Sequence, residues 1–378
     1  MKIVIAPDSF KESLSAMEVA AAIAEGWQKV IPDTECICIP MADGGEGTVQ
    51  SLIDATHGRW LSVDVTAPLG NTVRAEFGIS GDGKTAIIEM AAASGLHLVP
   101  IEERNPLITT SYGTGELIKA ALDQGVSKII LGIGGSATND AGAGMLQALG
   151  AVFCDQDGVA LGFGGGALIN TAHVDFSKLD PRLQQVELDV ACDVNNPLCG
   201  EKGASAIFGP QKGASPEVVA TLDKALHHFA TVIQQQHGLD IRHHAGAGAA
   251  GGMGGGLLTL PNVVLKAGVQ IVIEAVNLAE AIRDADLVIT GEGRMDAQSA
   301  HGKAPIGVAG VAKQFGKPVI AIVGCLREDY EVVYQHGIDA VFPIIRQLGT
   351  LDTVLANGRY NLISTAQNIA KLYQMNMR

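Results

Sequence analysis

Positive charge is in short supply: 26 lysines and arginines stand against 40 aspartates and glutamates in 378 residues, a formal charge of −14. Binding to a phosphate backbone needs a basic patch, and the basic residues here are scattered, so no nucleic-acid partner is expected. Aromatic residues make up only 4% of the chain, whereas glycine occurs 47 times. The core must therefore be packed from Val, Ile, Leu and Ala. The six cysteines (Cys36, Cys38, Cys154, Cys192, Cys199 and Cys325) form no CxxC pair and no disulfide-framework spacing, the pattern of reduced thiols in a cytoplasmic protein. Long apolar runs are lacking too. The longest uncharged stretch, residues 245–265, is dense in glycine and holds Pro261, so no spanning helix and no membrane role are expected. The chain runs from Met-Lys straight into a strand-like segment, with no signal peptide expected.

What the chain does have is length and alternation. Single cores stop growing near roughly 250 to 300 residues, which predicts two domains. Short Val- and Ile-rich runs at residues 2–7, 36–40, 128–132, 186–191, 286–290, 319–323 and 340–345 alternate with Ala-rich stretches of helical period. That is the pattern of parallel strands covered on both faces by crossover helices. Residues 15–30 read as a helix with Ser15 as N-cap and Glu18 completing a capping box, and residues 48–56 and 361–374 as two more. Residues 60–90 instead alternate with turn residues, an antiparallel meander. The glycine-dense run 245–256 is expected as a loop that wraps something closely. The first and last portions share one texture. The fold class is thus α/β with a discontinuous Rossmann-like or flavodoxin-like parallel-sheet domain, residues 1–58 plus 280–378, and an inserted mixed α/β domain, residues 59–279.

Two motif matches compete for attention. Gly78-Ile-Ser-Gly-Asp-Gly-Lys84-Thr85 fits the P-loop expression, but strand texture follows where a helix should open, so a hairpin turn is the plainer reading. Gly132-Ile-Gly134-Gly-Ser-Ala137 fits the dinucleotide fingerprint, with Asp155 and Asp157 about 20 residues on. The hydroxyl and amide groups of Ser136, Thr138 and Asn139, with Asp140, equally suit a phosphate-binding turn or a plain N-cap. A nicotinamide-dependent hydroxyacid dehydrogenase therefore stays open at this point. The histidine pairs 227–228 and 243–244 lack metal-site spacing and read as solvated positions.

Carboxylates at strand ends say more, since ligands of open α/β sheets bind outside the carboxyl ends of strands. Four strands end in acid: Asp8-Ser9-Phe10-Lys11, Asp43-Gly-Gly-Glu46, Asp193-Val-Asn195-Asn196 and Gly291-Glu292-Gly-Arg294-Met-Asp296. Together they predict a polar cleft suited to phosphoryl transfer: carboxylates for Mg²⁺, cations and backbone N–H groups for phosphates, and an acid beside the acceptor hydroxyl. Lys212 and Lys303, each beside glycine, add cations or are plain surface turns. In this reading Asp43, Glu46 and Asp296 hold the metal, while Ser9, Lys11 and Arg294 meet the substrate. Asp8 and Lys11 take part in catalysis, and Asp193 orients the attacking hydroxyl. Gly134, Gly135, Ser136, Thr138, Asn139, Asp140, Gly251 and Gly252 surround the nucleotide phosphates. A scaffold that keeps a dead cleft is disfavoured by intact acids at all four strand ends.

The runs Ala6-Pro-Asp-Ser-Phe-Lys-Glu-Ser-Leu-Ser-Ala16, Pro40-Met-Ala-Asp-Gly-Gly-Glu-Gly-Thr48, Gly134-Gly-Ser-Ala-Thr-Asn-Asp140, Ala191-Cys-Asp-Val-Asn-Asn-Pro-Leu198, Phe208-Gly-Pro-Gln-Lys-Gly-Ala214, Gly246-Ala-Gly-Ala-Ala-Gly-Gly252 and Thr290-Gly-Glu-Gly-Arg-Met-Asp296 closely resemble the type 1 glycerate kinases of bacterial glycerate and glucarate catabolism. The likeness extends from the first strand to about Val308 and departs at Glu12, where glycine is expected. The resemblance implies a two-domain α/β enzyme using ATP and Mg²⁺ to phosphorylate D-glycerate at its 2-hydroxyl. Phosphorylation of the 3-hydroxyl is the alternative. The partners implied are the small molecules D-glycerate and ATP, with self-association into a homo-oligomer left open.

Overall fold

The computed structural model describes residues 1–45, 47–300 and 302–376. The chain divides into two compact units, Met1–His57 with Ala267–Arg378, and Gly58–Lys266. The helix Gly268–Ala275 thus belongs to the first unit, although the texture of the sequence had placed that boundary at 279/280.

The first unit is built on five parallel strands in the spatial order Glu35–Cys38, Lys2–Ile5, Leu287–Thr290, Val319–Val323, Ala340–Pro343. Numbered along this unit the order is 2-1-3-4-5, the flavodoxin-like arrangement. Ile3, Val4 and Ile5 are wholly buried, as expected of a strand covered on both faces. The helix Ala16–Gln28 starts at the expected capping box: the Ser15 N–H donates to Glu18 Oε2 at 2.8 Å and the Glu18 N–H to Ser15 Oγ at 3.3 Å. Its Val19, Ile23 and Trp27 bury against Leu362, Ile363 and Ala366 of the helix Gly358–Asn376. A wholly buried aromatic such as Trp27 is worth roughly 3–5 kcal/mol against alanine. The two helices approach so closely that a Cβ at Gly26 would collide with the Ile363 carbonyl oxygen.

The second unit holds a six-stranded sheet in the order Val263–Lys266, Glu187–Ala191, Lys128–Gly132, Thr85–Glu89, Thr72–Ile79, Arg59–Thr66. The first four strands run parallel and the last two pairings are antiparallel, so Thr85–Glu89 joins the expected meander to the parallel part. The helix Pro216–His237 buries Leu226, Phe229 and Ile233 in a core shared with Phe77, Ile129, Leu131 and Phe153.

The glycine-dense run begins as the loop that its composition suggests, with turns over residues 245–248. The element that follows, Ala249–Leu257, is broken where Ala250, Gly251 and Gly252 take positive φ, and is regularly helical only beyond them. Gly251, at φ 68°, leaves no room for a side chain, because a Cβ there would strike the Thr138 carbonyl oxygen. Glycine serves close packing here more than looseness.

Candidate active site

Parallel α/β sheets bind ligands where the strand order reverses, outside the carboxyl ends. In the first unit that point lies between Lys2–Ile5 and Leu287–Thr290. Their pairing continues past the strands, with Ala6 N–H donating to the Ile289 carbonyl at 2.7 Å and Asp8 N–H to the Gly291 carbonyl at 2.8 Å. Asp8 and Glu292 are thereby delivered together at the sheet's upper edge. The chain then doubles back through residues 10–14, closed by the Phe10 N–H to Leu14 carbonyl bond at 2.8 Å, and Glu12 sits at φ 64° within it. That is a left-handed position where glycine is at ease, the physical reason for glycine at the one place where the motif departs.

A cavity of about 690 Å³ opens here, lined among others by Asp8, Ser9, Lys11, Asp43, Glu292, Arg294 and Lys303, a volume that suits a small-molecule site. Burial raises the Asp8 pKa to about 7, helped by the charges of Asp43 and Glu292 and opposed by the Ser9 N–H, which donates to Asp8 Oδ1 at 2.6 Å. Burial also pushes Glu292 up, against the Ser299 hydroxyl and the pull of Lys303. Lys303 Nζ lies 3.3 Å from Glu292 Oε2, and Glu292 Oε1 has no hydrogen-bond partner among the described residues.

Of the residues expected to hold the metal, Asp43 lines the cavity and Glu46 lies outside the described residues. Asp296 is placed differently. It is 4% exposed, accepts from the Gln298 N–H at 3.0 Å, faces Arg294 Nε at 3.4 Å, and does not line the cavity. Glu292 lines it, and Lys303 of the same lining lies 4.0 Å from Asp296 Oδ1. Among the described residues no group of three His, Cys, Asp or Glu side chains is set to hold a metal ion by itself. Mg²⁺ is commonly held by one or two carboxylates with substrate phosphates and water, and Asp43 together with the orphaned Glu292 oxygen fits that requirement.

The remaining expected residues belong to the second unit. Asp193 is exposed, just past the strand Glu187–Ala191. After Lys128–Gly132 comes a long turn in which Gly134 and Gly135 are exposed while Ser136, Thr138, Asn139 and Asp140 are buried. The following helix, Ala143–Ala148, opens well beyond Ala137. A dinucleotide fingerprint needs its helix to begin at the glycines, so the dehydrogenase alternative loses its geometric basis. Gly78–Thr85 is a hairpin turn closed by the Gly83 N–H to Ser80 carbonyl bond, not a P-loop. His228 is tied to the Thr171 carbonyl from the helix Pro216–His237.

Asp140 anchors the turn. Its carboxylate accepts from Ser111 N–H at 2.9 Å, Ser111 Oγ at 2.8 Å, Gly142 N–H at 3.2 Å and Gly144 N–H at 3.3 Å. Burial pushes its pKa up against these donors. Gly251 and Gly252 back onto the turn: the Ala141 N–H donates to the Gly251 carbonyl at 3.1 Å, and Gly252 packs on Ala141. The residue that sequence reasoning undervalued is Lys212. Far from a surface turn, it is 1% exposed, with Nζ donating to Ser136 Oγ and to the Thr138 carbonyl, both at 2.6 Å.

A flavodoxin-ordered sheet with acids and cations gathered in a switch-point cavity defines an α/β enzyme of small-molecule chemistry. Comparison with known proteins specifies it further. Residues 3–374 match the model of the glycerate kinase family. A glycerate kinase of Haemophilus influenzae is 68% identical over 372 residues, 98% of each chain, and a glycerate 2-kinase of Escherichia coli is 57% identical over 378 residues, 100% of this chain and 99% of that one. A crystal structure from Salmonella typhimurium LT2, with a provisional glycerate kinase 2 designation, superposes with a TM-score of 0.93 at 53% identity, covering 100% of this chain and 99% of its own. The chain belongs to the glycerate kinase family, as the motif resemblance implies.

Proposed function

We propose that the protein transfers the γ-phosphoryl group of ATP to the 2-hydroxyl of D-glycerate, giving 2-phospho-D-glycerate and ADP. The observation that carries this reading is the switch-point cavity, where acids and cations meet in a volume with ample room for a three-carbon acid. Ser9, Lys11 and Arg294 meet the glycerate carboxylate. Asp43 and Glu292 hold Mg²⁺, which supplies charge neutralisation to the phosphates. Asp8 accepts the hydroxyl proton: a base works best with a pKa near the operating pH, and burial raises Asp8 to about 7 in the metal-free protein. Asp193, exposed, is the second candidate for that role. The turn from Gly134 to Asn139 takes the nucleotide phosphates. Transfer to the 2-hydroxyl is supported by the name of the Escherichia coli relative, since the 2- and 3-hydroxyls of so small an acid differ by a small rotation.

A ³¹P NMR spectrum of the products from protein, D-glycerate, ATP and Mg²⁺ tests this. The expected signal is a doublet coupled to one carbinol proton, absent without metal. A triplet from a CH₂ group would move the transfer to the 3-hydroxyl, and no ATP consumption would remove the kinase reading.

A further inference from the structure

Lys212 carries a charge into the interior of the second unit and uses it on two acceptors of a single turn, Ser136 Oγ and the Thr138 carbonyl. An ammonium has three donors and no acceptor, whereas a hydroxyl has one proton and two lone pairs. While Lys212 is protonated, Ser136 Oγ must therefore accept from it, and the hydroxyl proton is left to point elsewhere. Ser136 follows the exposed Gly134 and Gly135, so the side of the turn open to a ligand is next to it. Were Lys212 neutral, its lone pair could draw that proton inward. We propose that Lys212 is a positioning residue that fixes Ser136 as a hydrogen-bond donor to an anionic phosphate oxygen of the nucleotide. This rests on the reading of the 134–139 turn as the nucleotide site.

The surroundings support such a role. Burial lowers the Lys212 pKa to about 7, opposed by the charge of Asp140, so its proton is labile near neutrality. Asp140 is the acid facing it from the turn. Arg104, which donates to the Gln211 carbonyl at 3.3 Å, is the charged group on the adjoining segment. Thr138 Oγ1 and Asn139 Oδ1 are buried without partners among the described residues; Ser136 is the hydroxyl of this turn whose polarity a neighbouring charge sets.

MgATP affinity of the full-length protein, measured by calorimetry without glycerate, tests the proposal through Ser136→Ala, Lys212→Met and the double variant. Each single change is expected to weaken binding by about tenfold, the worth of one hydrogen bond to a charged group. The double variant should be no more than about twofold worse than either single one. Wild-type affinity should also fall as pH rises through 7, more steeply than that of Ser136→Ala, in which the titration of MgATP itself is retained. Losses that multiply to about a hundredfold would show that Lys212 acts independently of Ser136 and overturn the proposal. If Ser136→Ala binds MgATP as wild type does, the nucleotide placement itself is wrong. Should Lys212→Met fail to fold, the two pH profiles decide alone, and parallel profiles would reject the proposal.

Discussion

Asp8 is a half-buried carboxyl group set among other acids. In the unfolded chain such a group ionises near 3.8, whereas burial, Asp43 and Glu292 raise it to about 7 in the folded protein. Below about pH 4 both states hold the proton and the shift contributes fully to stability. As pH rises towards and through 7 that contribution is lost, because the unfolded chain releases the proton first. Asp8→Asn removes the effect. We expect the metal-free variant to match wild type near pH 4 and to melt about 5 °C higher at pH 8, read by thermal denaturation across pH; parallel curves would show that Asp8 ionises normally. Glu12 illustrates how unevenly such residues could be read beforehand. Its departure from the expected glycine was plain in the sequence, but the reason, a left-handed backbone costing about 1 kcal/mol, lies in the closed turn of residues 10–14. Lys212 was misjudged because its glycine neighbours suggest a turn, and nothing local reveals that Ser136, 76 residues away, covers it.

Secondary elements show the same division. Strands and capped helices were legible because period, caps and turns are local: the helix Thr48–Thr56 and the strand Val319–Val323 stand where they were expected. Register is not local. Asp189, in the middle of the second unit's sheet, pairs with Ile130 on one side and Val264 on the other. Lys128 and Lys266 stand two residues from those positions, hence on the same face. The Asp189 carboxylate, 5% exposed, holds Lys128 Nζ at 2.6 Å and Lys266 Nζ at 3.2 Å. Removing a buried acid leaves its cations uncompensated, while replacing the whole set with apolar residues is often harmless. Asp189→Leu should therefore lose roughly 3 kcal/mol in urea unfolding, and combining it with Lys128→Met and Lys266→Met should recover most of that. If the triple variant is as weak as the single one, the charges are not what stabilises this face.

On the scale of the whole molecule, the two units differ in how the chain supplies them. Gly58–Lys266 is continuous, whereas the five-stranded sheet of the other unit draws two strands from residues 1–57 and three from residues after 267. A compact unit with its own core can fold alone. The isolated 58–266 fragment is expected to unfold cooperatively in urea, while a 267–378 fragment, lacking Lys2–Ile5 and the helix that covers it, should show no cooperative transition. A featureless curve for the first fragment would mean that it depends on the rest of the chain. That domains alternate could be inferred from texture; the fine boundary at 266/267 could not, because a helix just beyond it reads like those before.

The strand Lys2–Ile5 lies inside its sheet, between Glu35–Cys38 and Leu287–Thr290. During synthesis the first of these neighbours emerges soon after it, but the second only after about 280 more residues, roughly 15 to 60 s at ribosomal speeds. For that interval an apolar, β-prone edge is exposed on a half-made sheet while the intervening unit is completed. The nascent chain is thus a natural client for a chaperone at its beginning, and changes in translation speed between codons 40 and 290 should bear on the yield of soluble protein more than changes after them.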